Sequence, residues 1–209
     1  HLYRLREETL ARHLDEARAQ ARVFEEQLTQ TLNLVHLTLQ GIPETLEATP
    51  QQHRQAGQQL QVMVRRLSFL RSLSIADEQG RIFASSNPDN VGATLDTSDF
   101  RPLREPGSEA PFLRLGAPWI GRDFADAQPS TAETPIPAEA SAILPVSREI
   151  VRDGRRMQLI AAINPDYFVN HFSHHVTPEL TRVEVVDYLG LTLLSSREDL
   201  LAGSRHMSD

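Results

Sequence analysis

Three histidines, at positions 171, 174 and 175, are the first residues in this chain whose types and spacing suggest chemistry. On a helix, His171 and His175 stand four residues apart and share a face. Zinc uses such pairs, but it also needs a third and usually a fourth ligand, with acceptors behind the imidazoles. Only Asp166 and Glu179 stand nearby in sequence, and the HExxH pattern is absent. The trio therefore reads as a solvated or partly packed cluster, and no metal is expected. Ser85-Ser86 and Ser195-Ser196 lack the GxSxG elbow that exposes a serine nucleophile. With no cysteine, thiol catalysis, zinc ribbons and disulfides are excluded together. No glycine-rich phosphate loop occurs. The carboxylate pairs Glu7-Glu8 and Glu25-Glu26 fall on a helix and face outward. No catalytic constellation emerges, so the chain reads as neither an enzyme nor the holder of a cofactor.

Charge narrows the partners. The 209 residues carry a formal charge of −7, and all 21 basic residues are arginine. Phosphate-backbone binding needs a concentrated basic face; none can be read here, so nucleic acid is excluded. No apolar run of about 18 residues exists, so nothing in this stretch is expected to span a bilayer. The sequence opens at His1 in what reads as mid-helix and stops at SRHMSD. Both ends read as cut, and the expectation is a piece of a longer protein.

The elements follow from periodicity. Leu10, Leu14, Ala17, Ala21, Phe24, Leu28, Thr31, Val35 and Thr38 alternate in steps of four and three, a heptad seam on a long helix. Two alanines and two threonines weaken it as a zipper, so one part is expected to dock on its own domain and one part to form a homodimer. Gly41-Ile42-Pro43 breaks this helix, and a second is expected over Gln51 to Leu67. From Leu70 the period changes to that of strands. LSIADEQGRIFASS reads as a hairpin, with turn chemistry from Asp77 to Gly80. TSDFRPLR (97 to 104) is expected as a short helix, Phe112 to Ile120 as a strand, and Arg122 to Ala138 as a loop. Two strands follow, ASAILPVSREIV and MQLIAAIN. Asn164 then caps a helix that has Pro165 at its first position.

The hairpin is written twice. At a constant offset of 110 residues Asp77 falls on Asp187, Gly80 on Gly190, and Ser85-Ser86 on Ser195-Ser196. Connections between strands are too short for parallel crossovers, so the sheet should be antiparallel with segregated helices. The expected fold is α+β: a PAS-like antiparallel sheet hung from a long N-terminal helix, with a second PAS-like module starting at the C-terminus. Its expected division is residues 1–69 for the two helices, 70–164 for the first module, 165–180 for a connecting helix, and 181–209 for the opening hairpin of the second.

The run RSLSIADEQGRIFASSNPDNVGATLDTSDF resembles the first hairpin and following helix of double Cache (PAS-like, periplasmic) sensor domains. LGAPWIGR, ILPVSREI and LIAAINPDYFVNHF resemble their later strands and exit helix. The resemblance is closest to sensors attached to GGDEF diguanylate cyclases, EAL phosphodiesterases and hybrid histidine kinases. It implies a periplasmic ligand-input domain of a transmembrane signalling protein, tied to the membrane through flanking helices. A chemoreceptor input domain is the alternative, and a soluble enzyme a third reading. Two departures stand out: the Asp123 to Ala138 loop is longer than the family pattern, and the second module is incomplete.

In relatives that bind amino acids or carboxylates, arginines and aromatics clamp the ligand beside the first sheet. The matching region here offers Phe100, Arg101, Arg114, Trp119, Arg122 and Arg148, with Asn164 near the position of the amine-binding acid. Arginine suits bidentate capture of a carboxylate, and Trp119 would wall an apolar tail. An amide at Asn164 cannot neutralise an ammonium group, so the resemblance points to an organic acid or another small anion.

Overall fold

A computed structural model describes residues 2–42, 49–103, 113–131, 133–134, 136–137, 140–152, 154–173, 184–186 and 192–195. Helix α1 (Leu2–Gln40) is free of glycine and proline and rich in Leu, Ala, Glu, Gln and Arg, which favour helix. Its C-terminal half docks through Phe24, Leu28, Leu32, Val35 and Leu39, and Ile42 just beyond the helix continues the line. The expected seam is kept at Phe24, Leu28 and Val35 and left at Thr31 and Thr38. The buried line shifts to Leu32 and Leu39, because a straight helix repeats at 3.6 residues and drifts off a 3.5-residue seam. Thr31 and Thr38 instead return their hydroxyls to the carbonyls of Gln27 and Leu34. Towards the N-terminus Leu14, Ala17 and Ala21 are exposed.

Helix α2 (Pro50–Val64) starts one residue earlier and ends three earlier than expected. Thr49 and Gln52 form a reciprocal capping box, with Pro50 where its missing amide costs nothing. Ala56, Gly57 and Leu60 are its buried face.

The strands are β1 (Leu70–Ala76), β2 (Ile82–Ser85), β3 (Arg101–Leu103), β4 (Leu113–Leu115), β5 (Trp119–Ile120), β6 (Gln128–Pro129), β7 (Ala142–Arg152) and β8 (Arg155–Ile163). They form one sheet in the order β2-β1-β8-β7-β4-β3, with β5 also on β7 and β6 beside β5, every pairing antiparallel. The expected α+β class is what the chain adopts. Three local expectations are corrected. The expected loop from Arg122 to Ala138 contains β6. Residues 97–103 are a turn closed by Phe100 N–H on Thr97 O, then β3, rather than a helix. Pro102 is tolerated because β3 is an edge strand that needs fewer donors. The expected strand from Phe112 to Ile120 is two short strands, broken where Gly116 presses its backbone against the Phe100 ring and Pro145.

Alternation along β8 assigns the faces. Leu159, Ala161 and Ile163 join the core under α1 and α2, while Ile160 and Ala162 join a second core with Leu95, Phe100, Trp119, Phe124 and Ile143. Helix α3 (Pro165–Ser173) follows β8 with Asn164 as its cap; residues 174–180 of the expected connecting helix lie outside the described residues.

Strands β9 (Glu184–Val186) and β10 (Thr192–Ser195) pair in a separate two-stranded sheet. Asp187, Gly190 and Ser196 lie outside the described residues, but the register can be compared. Ser74–Ser85, Ile75–Ala84 and Ala76–Ile82 become Glu184–Ser195, Val185–Leu194 and Val186–Thr192 at the same offset of 110. Both hairpins carry a bulge at one place, Phe83 in the first and Leu193 in the second. The repeat in sequence is thus a repeat in pairing.

Candidate functional site

One row of residues crosses the sheet on the face turned away from the helices: Ser85, Ser74, Ile160, Ser147, Arg114 and Pro102, each paired with the next. At the β1–β2 end the row is polar and closed by the segment after β5. Gly121 (φ +141°) lets that segment turn back so tightly that a side chain there would strike Ala127. The turn delivers Asp123, which is 8% exposed, onto the sheet. Its Oδ1 accepts from Ser72 Oγ (2.6 Å), Asn90 Nδ2 (2.9 Å) and the Phe124 amide (2.8 Å), and its Oδ2 from Asn87 Nδ2 (2.9 Å). Asn90 Oδ1 in turn accepts from Ala125 N–H at 2.9 Å, and the Ser74 and Ser85 hydroxyls lie 2.9 Å apart. A buried carboxylate persists only with such partners. The 3₁₀ turn at Pro88–Asn90 and its cap Asn87 together supply two of them.

The seven residues of the expected ligand site are divided by this geometry. Phe100, Arg114 and Trp119 come together on the loop-side face. Trp119 stands edge-on to Phe124 with centroids 5.9 Å apart, and Arg114 Nη2 donates to Phe100 O at 2.8 Å. The Nε of Arg114 is buried without a hydrogen-bond partner among the described residues. Arg148 pairs with Leu159 and Arg101 with Leu115, both of which pack in the core under the helices, so these two arginines belong to the opposite face. Arg122 is exposed, with its amide donating to the Asp126 carboxylate. Asn164 sits at the end of β8, where its Oδ1 accepts from Arg71 Nη2 at 2.9 Å and from Asp166 N–H at 3.3 Å. What the sequence did not disclose is the Asp123–Asn90–Ser72 network. Its members lie 33 and 51 positions from Asp123, and only the paired serines after the hairpin hinted at it.

Just before Phe100, the exposed Asp96 carboxyl is held below the usual range, first by the Ser98 hydroxyl and then by the Ser98 amide. His171 lies on α3, and His174 and His175 lie outside the described residues. Among the described residues no group of three His, Asp or Glu is placed to hold a metal ion. Nor is any of their helices long and apolar enough to cross a membrane.

On the other side of β2 a groove of about 470 Å³ runs between α2 and the β2–3₁₀ segment. Its upper wall carries His53 and Arg54, and its lower wall Phe83, Ser86 and Val91. The His53 and Phe83 rings lie 4.5 Å apart at 41°.

No family model and no curated protein matches this chain. Solved structures do. The extracellular domain of rpHK1S-Z16, a protein assigned as a histidine kinase, superposes with a TM-score of 0.66 at 17% identity, covering 94% of this chain and 76% of that one. The extracellular domain of a second such kinase, vpHK1S-Z8, gives 0.54 at 14% identity, covering 92% and 70%. The periplasmic domain of RsbU from Chlamydia trachomatis gives 0.50 at 14% identity, covering 95% and 68%. The chain therefore has the fold of these extracytoplasmic domains, long first helix included.

Proposed function

We propose that this chain is the extracytoplasmic sensor domain of a transmembrane receptor, placed in the periplasm and controlling a cytoplasmic output. The observation that carries the reading is the end-to-end superposition on the extracellular domain of a histidine kinase, over 94% of this chain. A histidine kinase, or a diguanylate cyclase or phosphodiesterase, is the output we favour. The domain is of the double Cache type in this reading: β9 and β10 open a membrane-proximal module, supported by the shared register and bulge of the two hairpins.

The input site is the loop-side face. An organic acid or other small anion would meet Arg114, whose Nε has no partner among the described residues, between Phe100 and Trp119. Binding shifts the domain only to the extent that it favours one arrangement of α1 and the sheet over another. The exposed part of α1, with Leu14, Ala17 and Ala21 along one stripe, would pair with a second copy and pass that shift towards the membrane.

Limited proteolysis of the tagged parent protein in spheroplasts tests the placement. Cleavage within this domain in intact spheroplasts is the expected result. Cleavage only after lysis would place the domain in the cytoplasm and end the reading.

A further inference from the structure

The groove between α2 and β2 lies on the opposite side of β2 from the loop-side face, and its charge is unlike that of the chain. The sequence has 28 acidic against 21 basic residues, yet no acid lines the groove among the described residues, while His53 and Arg54 both do. Arg54 is exposed and forms no ion pair with a described residue. Pro50, Phe83, Pro88 and Val91 make the apolar part of the remaining wall, and Gln58, Gln61, Ser85 and Ser86 its polar part.

Local structure explains why the groove is held open. Gly57 brings α2 into backbone contact with β2; a Cβ there would lie 2.7 Å from Ser85 O. The bulge between the Ala84 and Ile82 pairings turns Phe83 towards the helix layer, where it meets His53. The result is a fixed aromatic step rather than a collapsible gap. Ser86, at 8% exposure, lines the floor. Its Oγ accepts from Leu73 N–H at 3.0 Å, which leaves the hydroxyl proton to donate, and no described residue accepts it. A buried hydroxyl donor and an unpaired guanidinium at one apolar groove ask for an anionic oxygen carried on a flat apolar body. The volume is that of a small-molecule site.

We propose that this groove is a binding site for a small aromatic or similarly flat organic monoanion, with the carboxylate at Arg54 and Ser86 and the ring against Phe83 and Val91. The site is separate from the loop-side face and does not depend on membrane placement. Calorimetric titration of the 209-residue chain with benzoate, and with benzamide as the neutral match, tests it. Saturable benzoate binding is expected, weakened at least about tenfold by Arg54→Gln and by Val91→Trp, which fills the groove from an exposed position. Benzamide should bind at least about tenfold more weakly than benzoate, and Arg155→Gln, at an exposed β8 position outside the groove lining, should bind benzoate as the native chain does. Circular dichroism of each variant separates lost binding from lost fold. Absence of benzoate binding, equal affinity for benzamide, or loss of binding in Arg114→Gln but not in Arg54→Gln would each overturn the proposal.

Discussion

Ser72 donates its hydroxyl to Asp123 Oδ1 at 2.6 Å, joining β1 to a turn 51 residues later. With Asn90 and Asn87 on the same carboxylate, three separate segments meet at one buried anion. Removing it strands several donors where water does not reach. Asp123→Ala should therefore destabilise by about 2–4 kcal/mol, since each buried polar group left unpaired costs about 1–3 kcal/mol. Urea denaturation at constant m-value measures this. A loss within about 0.5 kcal/mol, the ordinary range for surface substitutions, would mean the turn is held elsewhere.

Gly57 gives a test whose sign decides. In an exposed helix interior Gly→Ala stabilises by about 1 kcal/mol. Here the added methyl meets Ser85 O at 2.7 Å, and the obstacle is backbone. Gly57→Ala should lower stability by about 1–3 kcal/mol as α2 lifts from β2. A rise in the thermal midpoint would show that the helix has room to move.

The elements that local chemistry writes were readable from the sequence: the Asp77–Gly80 turn, the Asn164 cap, the antiparallel strands and the doubled hairpin. In the first turn Asp77 Oδ1 accepts from the amides of Gln79 and Arg81, and Gly80 takes φ +78°, which explains the Asp-x-x-Gly spacing. Which of the candidate residues share a face was not readable. Arg114 and Arg148 look alike in sequence, but register puts one opposite Ser147 and the other opposite Leu159, on different faces. Register is a non-local quantity, because a shift of one residue inverts every side chain. Asp123 looked like an ordinary loop acid for the same reason: its partners are brought by other segments.

The end of β8 supplies a third test. Asn164 Oδ1 accepts from the α3 backbone and from Arg71, which also reaches Asp166 at 3.3 Å. Asn164→Ala should cost about 0.5–2 kcal/mol, the range for a lost N-cap. Asn164→Asp should restore or exceed native stability, because a carboxylate caps equally well and suits both the helix N-terminus and the Arg71 guanidinium. Equal losses in both variants would show that the amide NH₂, rather than Oδ1, is what matters.

Arg114 is the residue on which the proposed loop-side input site turns. Thermal-shift screening of small organic acids should yield at least one that raises the midpoint of the native chain. The rise should be absent in Arg114→Ala, because binding to the folded state alone stabilises it by mass action. Arg114 Nη2 also holds Phe100 O at 2.8 Å, so the unliganded variant should melt earlier, and each variant must be read against its own baseline. An acid that shifts native and variant equally binds elsewhere, and a screen in which every hit does so would remove Arg114 from the site.

The first helix separates docking from association within one element. Leu28 belongs to the part that packs on the sheet, whereas Leu14, about four turns towards the N-terminus, is 50% exposed on the same seam. If the exposed stripe pairs with a second copy, Leu14→Glu should shift sedimentation from dimer to monomer and leave the monomer's own core intact. Leu28→Glu, at a half-buried position packed against the core, should instead lower the domain's stability by about 1–3 kcal/mol. Small alanines at positions 17 and 21 bury little area, so the pairing is weak and concentration-dependent, and sedimentation must be followed over a dilution series. A native chain that stays monomeric at the highest concentration, or a Leu14→Glu chain that still dimerises, would remove this stripe as the contact between copies.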